Sequence, residues 1–209
     1  MLFKRLLFVG CIAAALGLGG APSSHLDTRP VIVAFGDSLS AGYGAEAGKS
    51  FPDFLQKDLD AAGLHWHVVN AGVSGNTTTD GLYRVDEVLA HKPRITIIEF
   101  GGNDGLRGLP LETTRMNLEQ MIEKLQSGGS KVLIAGMTLP PNYGGDYITS
   151  FGKIYIDVAK KYNVQRIPFL LSDVALRPGL MQQDGIHPTA QGNEIVAKTV
   201  MRYLKPLLR

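Results

Sequence analysis

The chain has 209 residues, enough for one domain with a single sizeable core. Hydrophobic residues make up 44% and charged residues 19%, a balance that excludes the disordered and fibrous classes. The formal charge is +2, a surplus supplied by Lys4 and Arg5, so no basic field points to a nucleic-acid partner.

Residues 1–21 read as an export signal. Lys4 and Arg5 form a short positive region, Leu6 to Leu16 an apolar run, and Gly17 to Ala21 a stretch of small residues. The run is short for a membrane span. An uncleaved anchor is the competing reading, and a lipidated Cys11 ranks last. Cleavage would remove Cys11, the only cysteine, leaving no thiol for catalysis, metal binding or a disulfide. The expected product is a bacterial periplasmic or secreted protein, one domain over residues 22–209, acting as a monomer.

Beyond the polar stretch Ser23 to Arg29, apolar runs alternate with amphipathic segments. Val31 to Phe35 has the length and β-branching of a buried strand. Phe51, Phe54, Leu55 and Leu59 recur at helical spacing, with Pro52 tolerated in the first turn. Val68 to Asn70 gives a second strand, Leu82, Val85 and Leu89 a helix, and Ile95 to Phe100 a third strand. A helical stripe runs from Leu111 through Leu118, Met121, Ile122 and Leu125 until Gly128-Gly129 stops it. Lys131 to Gly136 is a fourth strand. Phe151, Ile154, Tyr155, Val158 and Tyr162 mark a helix. Ile167 to Leu170 is a weaker fifth strand, whose Pro168 suggests a sheet edge. Ile195, Val196, Thr199, Val200 and Tyr203 close the pattern as a helix. This alternation predicts a parallel sheet covered on both faces, with ligands bound beyond the carboxyl ends of the strands.

Four clusters bear on chemistry. Gly36-Asp37-Ser38-Leu39-Ser40 follows the first strand, where backbone N–H groups favour developing negative charge. Asp37 or Ser38 is equally suited to cap a helix. Asn70-Ala71-Gly72-Val73-Ser74-Gly75-Asn76 offers the Gly72 N–H as an oxyanion donor, or is a plain glycine-rich turn. In Gly101-Gly102-Asn103-Asp104-Gly105 the Asn103 amide is a second possible donor, although Asn-Asp-Gly is also turn chemistry. In Asp184-Gly185-Ile186-His187-Pro188 the Asp can reach the imidazole within one local turn, and Pro188 is placed to start the last helix. A lone Asp-x-x-His is more often a surface turn. His25, His65, His67 and His91 do not cluster, and no His-Glu-x-x-His, Cys pair or phosphate-binding glycine motif is present, so neither a metal nor a nucleotide cofactor is expected.

Taken in order, Gly-Asp-Ser-Leu-Ser at 36–40, Gly72 after Asn70-Ala71, Gly-Gly-Asn-Asp at 101–104 and Asp-Gly-Ile-His-Pro at 184–188 resemble the blocks of the SGNH, or GDSL, hydrolase family. The likeness spans about residues 31 to 207. The stretches Gly101 to Gly108 and Leu139 to Gly144 resemble its bacterial periplasmic thioesterase/lysophospholipase/arylesterase branch. The resemblance implies an α/β, flavodoxin-like three-layer sandwich with a parallel five-stranded sheet of order 2-1-3-4-5. It also implies Ser38 as nucleophile, His187 as general base and acid, and Asp184 as its orienting partner. The Ser38 N–H, the Gly72 N–H and the Asn103 side chain would bind the oxyanion, and no cofactor is implied.

The expected activity is hydrolysis of acyl esters and thioesters, lysophospholipids included, through an acyl-enzyme on Ser38. A carbohydrate acetylesterase and a non-catalytic binding module on the same fold are the alternatives. Leu106, Leu109, Pro141, Tyr143 and Ile186 are the candidate acyl contacts, since the loops that carry them lie on the same expected rim as Ser38.

Overall fold

The computed structural model describes residues 27–209; the leader reading, Cys11 and His25 lie outside the described residues. Five strands, β1 (Val31–Gly36), β2 (His67–Gly72), β3 (Ile95–Glu99), β4 (Lys131–Ala135) and β5 (Gln165–Ile167), form one parallel sheet in the order β2-β1-β3-β4-β5. Between and after them lie α1 (Ser38–Ala41), α2 (Phe51–Ala61), α3 (Thr78–Ala90), α4 (Gly102–Leu106), α5 (Leu111–Ser127), α6 (Gly145–Tyr162) and α7 (Ala190–Leu204). α2 packs against α7, α3 against α5 and α5 against α6, giving helices on both faces of the sheet. The three-layer architecture and strand order are those the family resemblance implied.

Strand composition explains this arrangement. Ile32 to Phe35, Ile97, Ile98 and Leu133 to Ala135 are wholly buried, as strands covered on both faces require. Edge strand β2 is only half-buried, and β5 at the other edge is three residues long. β5 covers Gln165–Ile167 and stops before Pro168, which has no N–H to give the ladder. It therefore lies upstream of the expected Ile167 to Leu170.

Local signals set the helix starts. Ser50 with Asp53, and Thr77 with Asp80, form reciprocal capping boxes before α2 and α3. Thr189 caps α7 through the Gly192 N–H, so Pro188 does not start that helix. Pro188 instead forms an isolated antiparallel bridge with Met181. Two other boundaries also differ from expectation. Ala71 and Gly72 continue β2 beyond the expected Asn70, because the register pairs them with Phe35 and Gly36. The Gly102–Leu106 stretch, of loop composition, is the short helix α4. It is held by Asp104, whose buried carboxylate accepts from the Thr78 N–H at 2.9 Å and the Thr114 hydroxyl at 3.3 Å.

Candidate active site

At the carboxyl end of β1 the chain turns directly into α1. Asp37 caps that helix by accepting from the Leu39 N–H at 3.1 Å, so the capping reading of this cluster holds for Asp37. Ser38 follows as the first helical residue, a position whose N–H has no intrahelical acceptor. Its Oγ lies 2.9 Å from His187 Nε2 and 3.4 Å from Asp37 Oδ1. The imidazole, not the neighbouring carboxylate, is therefore its main partner.

His187 is positioned by the loop that precedes α7. The Met181–Pro188 bridge and a Gln182 N–H to His187 carbonyl bond of 2.8 Å close that loop. The Gln182 amide also donates to the carbonyls of Tyr43 and Pro188, at 2.7 and 2.9 Å. It thereby ties the histidine loop to the segment after α1. The Tyr43 ring packs tilted against the imidazole, with ring centroids 4.7 Å apart and an interplanar angle of 43°.

Asp184 Oδ2 lies 2.7 Å from His187 Nδ1, while its Oδ1 accepts the N–H groups of Ile186 and His187, each at 3.0 Å. Burial pushes the Asp184 carboxyl up, but the hydrogen bonds from the His187 ring and the two amides outweigh it, and the net direction is down. An ionised carboxylate only accepts, so Nδ1 carries the hydrogen of the neutral ring and Nε2 turns its lone pair to Ser38 Oγ.

Beneath the serine turn lies Glu99, the last residue of β3 and wholly buried. Its Oε2 accepts from the Asp37 N–H at 3.1 Å, the Ser40 N–H at 3.0 Å and the Ser40 hydroxyl at 2.8 Å, whereas Oε1 is buried without a partner. Burial, reinforced by the charge of Asp37, pushes the Glu99 carboxyl well above the ordinary carboxylate range despite those donors. Burial pushes Asp37 upward too. Glu99, wholly enclosed and without a countercharge, is the more strongly raised of the two. The single acidic residue in the run Ile95 to Phe100 was the available signal, because a carboxyl inside a buried strand needs a reason.

The candidate oxyanion donors divide. The Gly72 N–H donates to Asn70 Oδ1 at 2.9 Å within β2, and Gly72 does not line the cavity beside Ser38. It is already used, and the assignment of an oxyanion role to Gly72 is corrected. Ser74 and Gly75 do line that cavity. Gly75 has φ +84°, a left-handed conformation that glycine adopts without strain, and its N–H has no acceptor among the described residues. The capping box at Thr77 marked where this loop ends, and so pointed past Gly72. Asn103 also lines the cavity. Its Nδ2 donates to Asp37 Oδ2 at 3.1 Å and to the Asn76 carbonyl at 3.0 Å, which fixes the amide with both hydrogens engaged.

The cavity opens beside Ser38 and His187 with a volume of about 510 Å³. Leu106, Pro141 and Ile186 line it, as expected of acyl contacts, together with Met137, Phe169 and Met181 from other loops. Leu109 and Tyr143 do not. The Leu109 N–H closes the end of α4 onto the Asp104 carbonyl at 3.0 Å, and Leu109 contributes no wall. Tyr143 lies behind the wall, its hydroxyl donating to the Leu106 carbonyl at 2.9 Å. It supports a lining residue without being one. Among the described residues, no three His, Cys, Asp or Glu side chains gather as a metal site would need.

This fold and these blocks match known proteins. A family model described as the GDSL-like lipase/acylhydrolase family covers residues 34–195. The chain belongs to that family. This acylhydrolase is 40% identical over 206 residues to Esterase TesA of Pseudomonas aeruginosa, covering 98% of this chain and 100% of that protein. It is 38% identical over 178 residues to thioesterase 1/protease 1/lysophospholipase L1 of Escherichia coli K12, covering 85% and 84%. Among solved structures, the psychrotrophic esterase EstA from a Pseudoalteromonas species, inhibited by monoethylphosphonate, superimposes with a TM-score of 0.80 at 30% identity, covering 86% of this chain and 99% of that one.

Proposed function

We propose that this acylhydrolase cleaves acyl esters and thioesters by two-step transfer through Ser38. The carrying observation is the relay at the cavity edge: Ser38 Oγ to His187 Nε2 at 2.9 Å, and His187 Nδ1 to Asp184 at 2.7 Å. Ser38 Oγ attacks the acyl carbonyl as His187 takes its proton, and Asp184 stabilises the imidazolium. His187 returns the proton to the leaving alcohol or thiol, which departs from the acyl-enzyme. Water, deprotonated by the same ring, then releases the acid and restores Ser38. Developing charge on the carbonyl oxygen is met by the N–H groups of Ser38 and Gly75 and by Asn103 Nδ2. Asn103 shares a hydrogen now held by Asp37 or the Asn76 carbonyl.

The apolar lining residues give an acyl chain a place to leave water, each buried methylene being worth about 0.8 kcal/mol. That favours lysophospholipids, aryl esters and medium acyl thioesters over acetylated sugars, whose acyl group would leave most of the cavity unfilled. The names of the relatives, an esterase and a thioesterase/lysophospholipase, agree with this class. The pattern of residues 1–21 supports export, with the domain at 22–209 working as a monomer outside the cytoplasm. Among the described residues, no helix is long and apolar enough to cross a membrane.

The test is a chain-length series of nitrophenyl esters and acyl thioesters with wild type and Ser38→Ala. Wild type should turn over both classes, and the folded Ser38→Ala protein neither. Substantial turnover by the folded variant would assign the nucleophile elsewhere.

A further inference from the structure

Among the described residues, six large hydrophobic side chains are exposed, and three of them gather at the cavity mouth. Leu176 and Tyr43 line it, and Val73 adjoins Ser74 and Gly75, which also do. Leu176 is 96% exposed and adopts φ +61°, the left-handed region that costs a side-chain-bearing residue free energy. The chain accepts strain and apolar exposure at one point, beside an apolar cavity. Such a patch marks a surface that meets another apolar phase.

Charge selects which phase. Arg177 follows Leu176 and is exposed. Arg107 reaches the same rim, donating to the Gly75 carbonyl at 2.9 Å. Neither belongs to an arginine ion pair of the described residues. Asp173, the acid nearest Arg177 in sequence, already accepts from Thr199 at 2.8 Å and Arg202 at 3.2 Å. Two copies meeting mouth to mouth would bring like charges together. A layer of anionic phospholipid offers phosphates to the guanidinium groups and acyl chains to Leu176.

We propose that the cavity mouth docks on an anionic lipid surface, with Leu176 entering the acyl layer and Arg107 and Arg177 facing the phosphates. A single-chain lipid could then pass from the layer into the cavity without its chain crossing water. The second step rests on the acyl-ester reading; the docking itself does not.

The experiment is co-sedimentation with vesicles of phosphatidylcholine, alone or mixed with phosphatidylglycerol, in a Ser38→Ala background so that no turnover enters the measurement. All variants carry the same N-terminus, so any binding by residues 1–26 is common to them. Binding to the anionic vesicles should fall about tenfold or more in Leu176→Asp, as expected from losing one inserted leucine. It should fall about fivefold in Arg177→Ser, as expected for one surface cation. Leu176→Gly removes the side chain and relieves the left-handed strain, so it should bind weakly while melting no lower than its parent. Equal vesicle binding by the parent and both Leu176 variants would overturn the proposal. So would a change in oligomeric state as their only effect, which would assign the patch to a second copy. Either failure leaves ester hydrolysis by Ser38 untouched.

Discussion

Local backbone structure holds each residue of the relay. Ser38 opens a helix directly after a buried strand, and His187 sits in a loop closed by Gln182 and the Met181–Pro188 bridge. Ser38 was legible as a candidate because strand, turn residue and polar side chain are adjacent in sequence, and His187 was legible as one through its place in the Asp-Gly-Ile-His-Pro block. So was Asp184, three residues before its histidine. Which glycine of the second cluster faces the cavity was not legible by composition, since Gly72 and Gly75 share that cluster. Only the β2 register, which places Gly72 inside the strand, separates them. Asn103 was legible as a candidate donor, but not its double restraint by Asp37 and Asn76. Asn103→Ala should lower kcat by about 10²–10³ with a smaller change in KM, because the bond is made mainly in the transition state. Steady-state kinetics on a nitrophenyl ester would show it, and an unchanged kcat would remove Asn103 from the oxyanion site.

The elements were legible wherever periodicity was strong, as in β1, β3, α2 and α5. α4 was not, because Gly-Gly-Asn-Asp-Gly has loop chemistry and is made helical by the tertiary bonds of Asp104. β3 carries the least expected feature, a buried Glu99 that ties its end to the serine turn. A carboxyl raised in the folded state favours folding while protonated. That contribution is full below its unfolded pKa and is lost as pH rises through the raised folded value. Glu99→Gln is neutral at every pH. The Tm of wild type relative to Glu99→Gln should therefore be highest in acid and decline as pH rises above the ordinary carboxylate range. Within that window one group contributes a slope of about 1.4 kcal/mol per pH unit. Thermal melts of both proteins across that range would decide it, and parallel curves would mean that Glu99 is ionised in the folded protein throughout.

For the whole molecule, the parallel sheet followed from alternating strand and helix patterns, and its order from the family resemblance. The cavity was only partly legible. Leu106, Pro141 and Ile186 lie in segments already marked by motifs, but Met137, Phe169 and Met181 come from separate strand ends and a distant loop and meet only in three dimensions. Leu109 and Tyr143 showed that a place on the right rim does not make a residue a wall. The export reading has its own check. N-terminal sequencing of protein from the producing cell should find a start between Gly17 and Asp27, whereas an intact Met1 in the membrane fraction would favour an anchor.

The proposed activation of Ser38 by His187 has a direct chemical readout. The most direct measurement is incubation with a fluorophosphonate followed by mass spectrometry of the labelled peptide. One adduct per chain on Ser38, formed at a rate that collapses in His187→Ala, is the predicted result. An unlabelled Ser38 in a protein that still hydrolyses esters would assign the nucleophile elsewhere.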